Sequence, residues 1–160
     1  MAVGSASWSF TEDDFAAITK ALQRFLDDAN ARCALLVDRS GQLVATVGEQ
    51  PRFDSTAFAT LTAADFSAND QLAKLIGERD FNSLFHQGEK ESMYLADVAR
   101  RLILVVLFDD RTTLGLVRLK MKQTVEELTK LFEQVFNRPA QGGAPGLLAG
   151  ADDEIDKLFQ

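Results

Sequence analysis

The chain has 160 residues, 46% hydrophobic and 26% charged, proportions that fit one globular domain large enough to fold without a disulfide or a metal. Its net charge of −7 excludes general affinity for nucleic acid or anionic lipid, which needs clustered Lys and Arg. The lone Cys33 cannot form an internal disulfide, the first ten residues lack signal-peptide features, and the longest apolar run (102–108) is too short to span a bilayer, so a cytoplasmic protein is expected.

Thr11 followed by Glu12, Asp13 and Asp14 is N-cap chemistry, with acids suited to a first helical turn. Phe15, Ile18, Leu22, Phe25 and Ala29 then recur at helical spacing and predict an amphipathic helix over 12–29. Cys33-Ala34-Leu35-Leu36-Val37 reads as a buried strand, Asp38-Arg39-Ser40-Gly41 as a turn, and 42–47 as a second strand closing a hairpin. Pro51 and Asp54 mark the start of another helix and Gly77 its stop. That helix is rich in small residues: Ala57, Ala59, Ala63, Ala64, Ser67 and Ala68. They suit either packing on the domain's own sheet or a self-dimer face.

Three strands are expected over 81–86, 92–98 and 101–108, with turns at Gly88-Glu89-Lys90 and Ala99-Arg100. The all-apolar run 102–108 should be a central strand covered on both faces. Leu114, Val117, Met121, Val125, Leu128, Phe132 and Val135 predict a long amphipathic helix, with Asp109 and Asp110 suited to its N-terminus. The order helix, two strands, helix, three strands, helix is that of an α/β (α+β) domain with an antiparallel-type sheet packed by helices.

After Phe136 the periodicity stops, and a Pro/Gly-rich stretch from Pro139 to Gly146 reads as a flexible linker. The expected organisation is a domain over 10–137, a linker over 138–151 and a short amphipathic tail over 152–160. In that tail Ile155, Leu158 and Phe159 would share one face of a helical turn among acidic residues, suiting a partner's groove as well as a solvated end.

Catalytic chemistry is not visible. One His (His86) and one Cys (Cys33) supply no metal-ligand spacing, and no phosphate-binding glycine motif occurs, so no catalytic residue, metal or cofactor is expected. Cys33 suits inert core and His86 a strand-end surface position. Arg118 and Lys122, at i and i+4 with Lys120 and Arg111 nearby, form a local positive patch in an acidic chain; it could steer an acidic partner or simply be a solvated face.

Several strings resemble the roadblock/LC7 family, and within it the bacterial MglB branch. They are Leu36-Val37-Asp38 with Gly41-Gln42-Leu43, Leu72-Ala73-Lys74-Leu75-Ile76-Gly77-Glu78, Phe85-His86-Gln87-Gly88, Leu104-Val105-Val106-Leu107-Phe108-Asp109 and Thr113-Leu114-Gly115-Leu116-Val117-Arg118. The acidic end, Asp152 to Phe159, resembles that of myxobacterial members. The resemblance implies a homodimer joined through the second helix and an edge strand, with Thr60, Ala64, Ser67, Ala68 and Gln71 at the interface. It implies that two chains bind one GTP-loaded, Ras-like GTPase of the MglA type and stimulate hydrolysis without an arginine finger. Arg118, Lys120, Lys122, Ile155, Leu158 and Phe159 are the expected GTPase contacts, the tail favouring nucleotide exchange. Cell polarity and gliding motility, with recruitment to a cell pole and other polarity proteins as further partners, follow from the same resemblance. The alternative is a non-catalytic scaffold that recruits polarity proteins without stimulating hydrolysis. Asp65-Phe66 and Asn69-Asp70-Gln71 stand where relatives carry smaller or less charged residues, a departure that would weaken self-association.

Overall fold

The computed structural model describes residues 10–50 and 52–138. Its elements are α1 (Glu12–Ala29), β1 (Cys33–Asp38), β2 (Leu43–Gly48), α2 (Ser55–Leu75), β3 (Ser83–Gln87), β4 (Ser92–Val98), β5 (Leu102–Phe108) and α3 (Leu114–Asn137). The expected order of helices and strands is therefore present.

The strands form one antiparallel sheet in the order β2-β1-β5-β4-β3. Central β5 lies between β1 and β4, and its apolar run needs cover on both faces. Strand alternation supplies two cores. Ala34, Leu36, Leu104 and Val106 point toward α1 and α3, whereas Cys33, Leu35, Val37, Ile103 and Val105 point toward α2. The edge strands are β2 and β3.

At the start of α1 the Asp14 N–H donates to Thr11 Oγ1 at 3.1 Å, and the Thr11 N–H donates back to Asp14 Oδ2 at 2.9 Å, a reciprocal capping box. The antiparallel pairing of α1 with α3 carries ion pairs at Asp14–Arg138 and Arg24–Glu127. In α2, Asp54 is the N-cap and accepts from the Thr56 and Ala57 N–H groups. Ala59, Thr62, Phe66, Asn69 and Ala73, at steps of three and four, form its buried stripe over the sheet.

Two local expectations need correction. Strand β3 is Ser83–Gln87, not 81–86, because pairing with β4 runs from Ser83–Ala96 to Gln87–Ser92. The acids before α3 do not lie in its first turn: Thr113 caps the helix, accepting from the Leu116 N–H at 3.2 Å. Asp109 instead accepts from the backbone and side chain of Arg111.

Candidate partner-binding surfaces

On α2 the small residues divide between the two faces. Ala59 is buried on the sheet, while Ala57, Ala64, Ser67 and Ala68 are exposed on the outer side. All five residues assigned from the resemblance to a dimer face, Thr60, Ala64, Ser67, Ala68 and Gln71, are exposed. The same outward side carries three leucines to which the sequence alone assigns no role in an interface. Leu61, Leu72 and Leu75 are 68%, 57% and 82% exposed, so with Ala57, Ala64 and Ala68 they leave a long apolar stripe facing outward. Their spacing of three and four residues was the available signal.

Of the residues marked as departures, Asp65, Phe66, Asn69 and Asp70 turn toward their own chain, while Gln71 is exposed. Phe66 is core, and Asp65 bonds His86 of β3 at 2.7 Å. Arg39, in the β1–β2 turn, donates to Asp70 of α2 at 2.8 Å and to Asp97 of β4, with its guanidinium 5.1 Å from the Phe66 ring centroid. Burial alone would lower the Arg39 pKa, but the bonds to Asp97 and Asp70 outweigh it and raise it. These contacts attach α2 to the sheet and turn Asp65 and Asp70, which the sequence suggested would repel a second copy, toward partners in their own chain.

The basic residues of α3 do not form one patch. Arg118 and Lys122 border a trough of about 670 Å³ between α3 and the β3–β4 part of the sheet, with Tyr94 and Val125 in its lining. Lys120, two residues from each, points to the opposite flank, beside Arg24, Asp28 and Glu127. The trough continues along α3 into a hollow of about 430 Å³ bordered by Arg100, Arg101, Phe136 and Asn137; Ala99 and Thr129 line both parts. Arg111 is committed elsewhere, its Nε 3.0 Å from Asp109 and its Nη2 3.4 Å from Glu49. Ile155, Leu158 and Phe159, with all but the first residue of the linker expected over 138–151, lie outside the described residues.

Cys33 is 3% exposed, and burial pushes its thiol pKa up, disfavouring the reactive thiolate. Among the described residues no group of three or more His, Cys, Asp or Glu is arranged to hold a metal ion, and no helix is long and apolar enough to cross a membrane.

Residues 17–108 match the roadblock/LC7 domain family. The solved structure of Myxococcus xanthus MglB is 48% identical, with a TM-score of 0.72 over 75% of this chain and 98% of that one. The gliding protein MglB of Thermus thermophilus is 32% identical, with a TM-score of 0.75 over 81% of this chain and 98% of that one. An MglB described as having a tetrameric arrangement is 31% identical, with a TM-score of 0.76 over 82% and 98% of the two chains. No curated protein matches the sequence. The matched segment spans the helices and strands that build both cores up to the end of β5, and the chain is a member of the roadblock/LC7 family.

Proposed function

We propose that this chain is an MglB-type regulator that stimulates GTP hydrolysis by a Ras-like GTPase of the MglA type, without being an enzyme itself. The observation that carries this reading is the 48% identity to Myxococcus xanthus MglB across 98% of that structure. The domain over 10–137 binds the GTP-loaded partner as a homodimer, two chains to one GTPase. The exposed Leu61–Leu72–Leu75 stripe supports self-association, because a second copy of α2 would remove it from water. Edge strand β3, which α2 reaches through the Asp65–His86 bond, leaves backbone groups available for pairing.

Hydrolysis is accelerated by repositioning the GTPase's own switch regions. A partner that binds the hydrolysis-competent switch conformation preferentially raises its population, and so the rate, by its differential affinity. The engagement of Arg111 by Asp109 and Glu49 favours this over a donated arginine. Arg118 and Lys122 supply the positive contact, with Lys120 on the other flank a secondary one. The linker over 138–151 tethers the tail over 152–160, whose Ile155, Leu158 and Phe159 contact the GTPase and favour exchange. In the cell this activity serves polarity and gliding motility from the cytoplasm, with recruitment to a pole.

The test is single-turnover GTP hydrolysis by the cognate GTPase with increasing amounts of this chain. Phosphate release should rise and saturate near two chains per GTPase. Unchanged turnover at saturation, with equal affinity for the GTP and GDP forms, would leave a scaffold that recruits polarity proteins.

A further inference from the structure

The two joined hollows beside α3 form a trough that begins at the end of the described chain. Phe136 and Asn137 border its near part, and Arg118 and Lys122 border its far part. Arg100, Arg118 and Lys122 make no side-chain ion pair among the described residues, and Arg101 stacks over the Phe136 ring at 4.2 Å. The acids lining the trough are Asp97, which shares the Arg39 guanidinium with Asp70, and Glu126 and Glu133, set against the four cations Arg100, Arg101, Arg118 and Lys122. Tyr94, Met121 and Val125 supply an apolar floor between the charges. A complementary occupant is therefore a short peptide with several acids around an apolar cluster.

The chain carries such a peptide. Asp152, Asp153, Glu154 and Asp156 surround Ile155, Leu158 and Phe159, with Lys157 the one cation among them. We infer that residues 152–159 seat in the α3 trough of their own chain, the acids facing Arg100, Arg118 and Lys122 and the apolar trio covering Tyr94 and Val125. The linker reaches. From Asn137 back to Lys122 is about 22 Å along the helix, while residues 139–151 span up to about 40 Å extended and about 20 Å as a flexible coil. A span matched to the linker's average length maximises effective concentration, at the millimolar scale, so a weak seat is well occupied in cis.

The consequence rests on the GTPase reading above: Arg118 and Lys122 cannot hold the tail and the GTPase together, so GTPase binding releases the tail for its own contact. The seat itself is tested without any GTPase. In the full-length chain, ¹⁵N relaxation of residues 152–159 should give backbone order parameters above about 0.6, the level below which a segment counts as flexible. With Arg118→Glu and Lys122→Glu together they should fall below that level, while core amides such as Leu104 keep their chemical shifts. Phe159→Ala should move the Tyr94 and Val125 resonances while the Leu104 amide keeps its chemical shift. Order parameters already below that level in the unsubstituted chain, or unaffected by the charge reversals, would overturn the inference. So would carbodiimide cross-links from Lys122 to the tail acids that form only between differently isotope-labelled chains.

Discussion

The guanidinium of Arg138, where α3 ends, closes on the carboxylate of Asp14 in the first turn of α1, with Nη1–Oδ2 and Nη2–Oδ1 distances of 2.9 and 2.8 Å. The same carboxylate completes the α1 capping box. One side chain thus caps one helix and secures the far end of another.

That pair has a pH signature. The hydrogen bonds from Arg138, with those from Thr11, hold the Asp14 carboxyl at about 2 instead of 3.8, against the opposing effect of burial. A folded-state pKa below the unfolded value adds stability that is present above pH 3.8 and lost as pH falls through about 2. Asp14→Asn should therefore cost on the order of 1 kcal/mol at neutral pH, after allowance for solvent screening. Thermal melts of the two proteins should converge between pH 4 and pH 2; a gap that persists at pH 2 would assign the loss to packing instead.

Arg39 attaches α2 to the sheet through Asp70 and Asp97. Arg39→Ala leaves two half-buried carboxylates without their cation and should destabilise by about 2 kcal/mol, less than for a fully buried pair. Urea titration should show a lower midpoint, and hydrogen exchange should quicken in α2 before β5. Uniform acceleration across both elements would argue against a clamp specific to α2.

The outward leucine stripe predicts the oligomeric state. Leu61→Arg with Leu72→Arg should convert a dimer to a monomer in sedimentation while leaving the circular dichroism spectrum unchanged. Each leucine buried by a second copy is worth about 1.5–3 kcal/mol, so the dimer constant should weaken by well over tenfold. A dimer that survives both changes would place the interface elsewhere.

The split of the α3 cations predicts unequal effects on the GTPase. Arg118→Glu with Lys122→Glu should slow association and flatten its salt dependence, while Lys120→Glu, on the α1 flank, should do less. Arg111→Ala should leave saturated turnover within about threefold, whereas loss of a donated arginine would cost about a thousandfold or more. Stopped-flow association and phosphate release distinguish the cases.

Removing residues 148–160 should leave the melting temperature unchanged and reduce stimulated nucleotide exchange, read with a fluorescent nucleotide. Identical exchange with and without the segment would make it a solvated end.

The helices, the hairpins and the central position of β5 were legible in the chain because they depend on local spacing: period two in strands, period three to four in α1 and α3, and a capping hydroxyl before acids. The bounds of β3 were not, since an edge strand extends only as far as its neighbour pairs with it. The second helix was the ambiguous element, apolar or small on most sides, and its periodicity alone did not say which side met the sheet. Phe66 settled that by filling the core between α2 and β5, turning Leu61, Leu72 and Leu75 outward. Asp65 and Asp70 looked like charges that would repel a second copy until tertiary contacts placed His86 and Arg39 beside them. Arg118, Lys120 and Lys122 looked like one patch because they are adjacent in sequence. Helical rotation carries the middle one to the other flank, and the packing of α3 on β4 and α1 puts a different groove on each side.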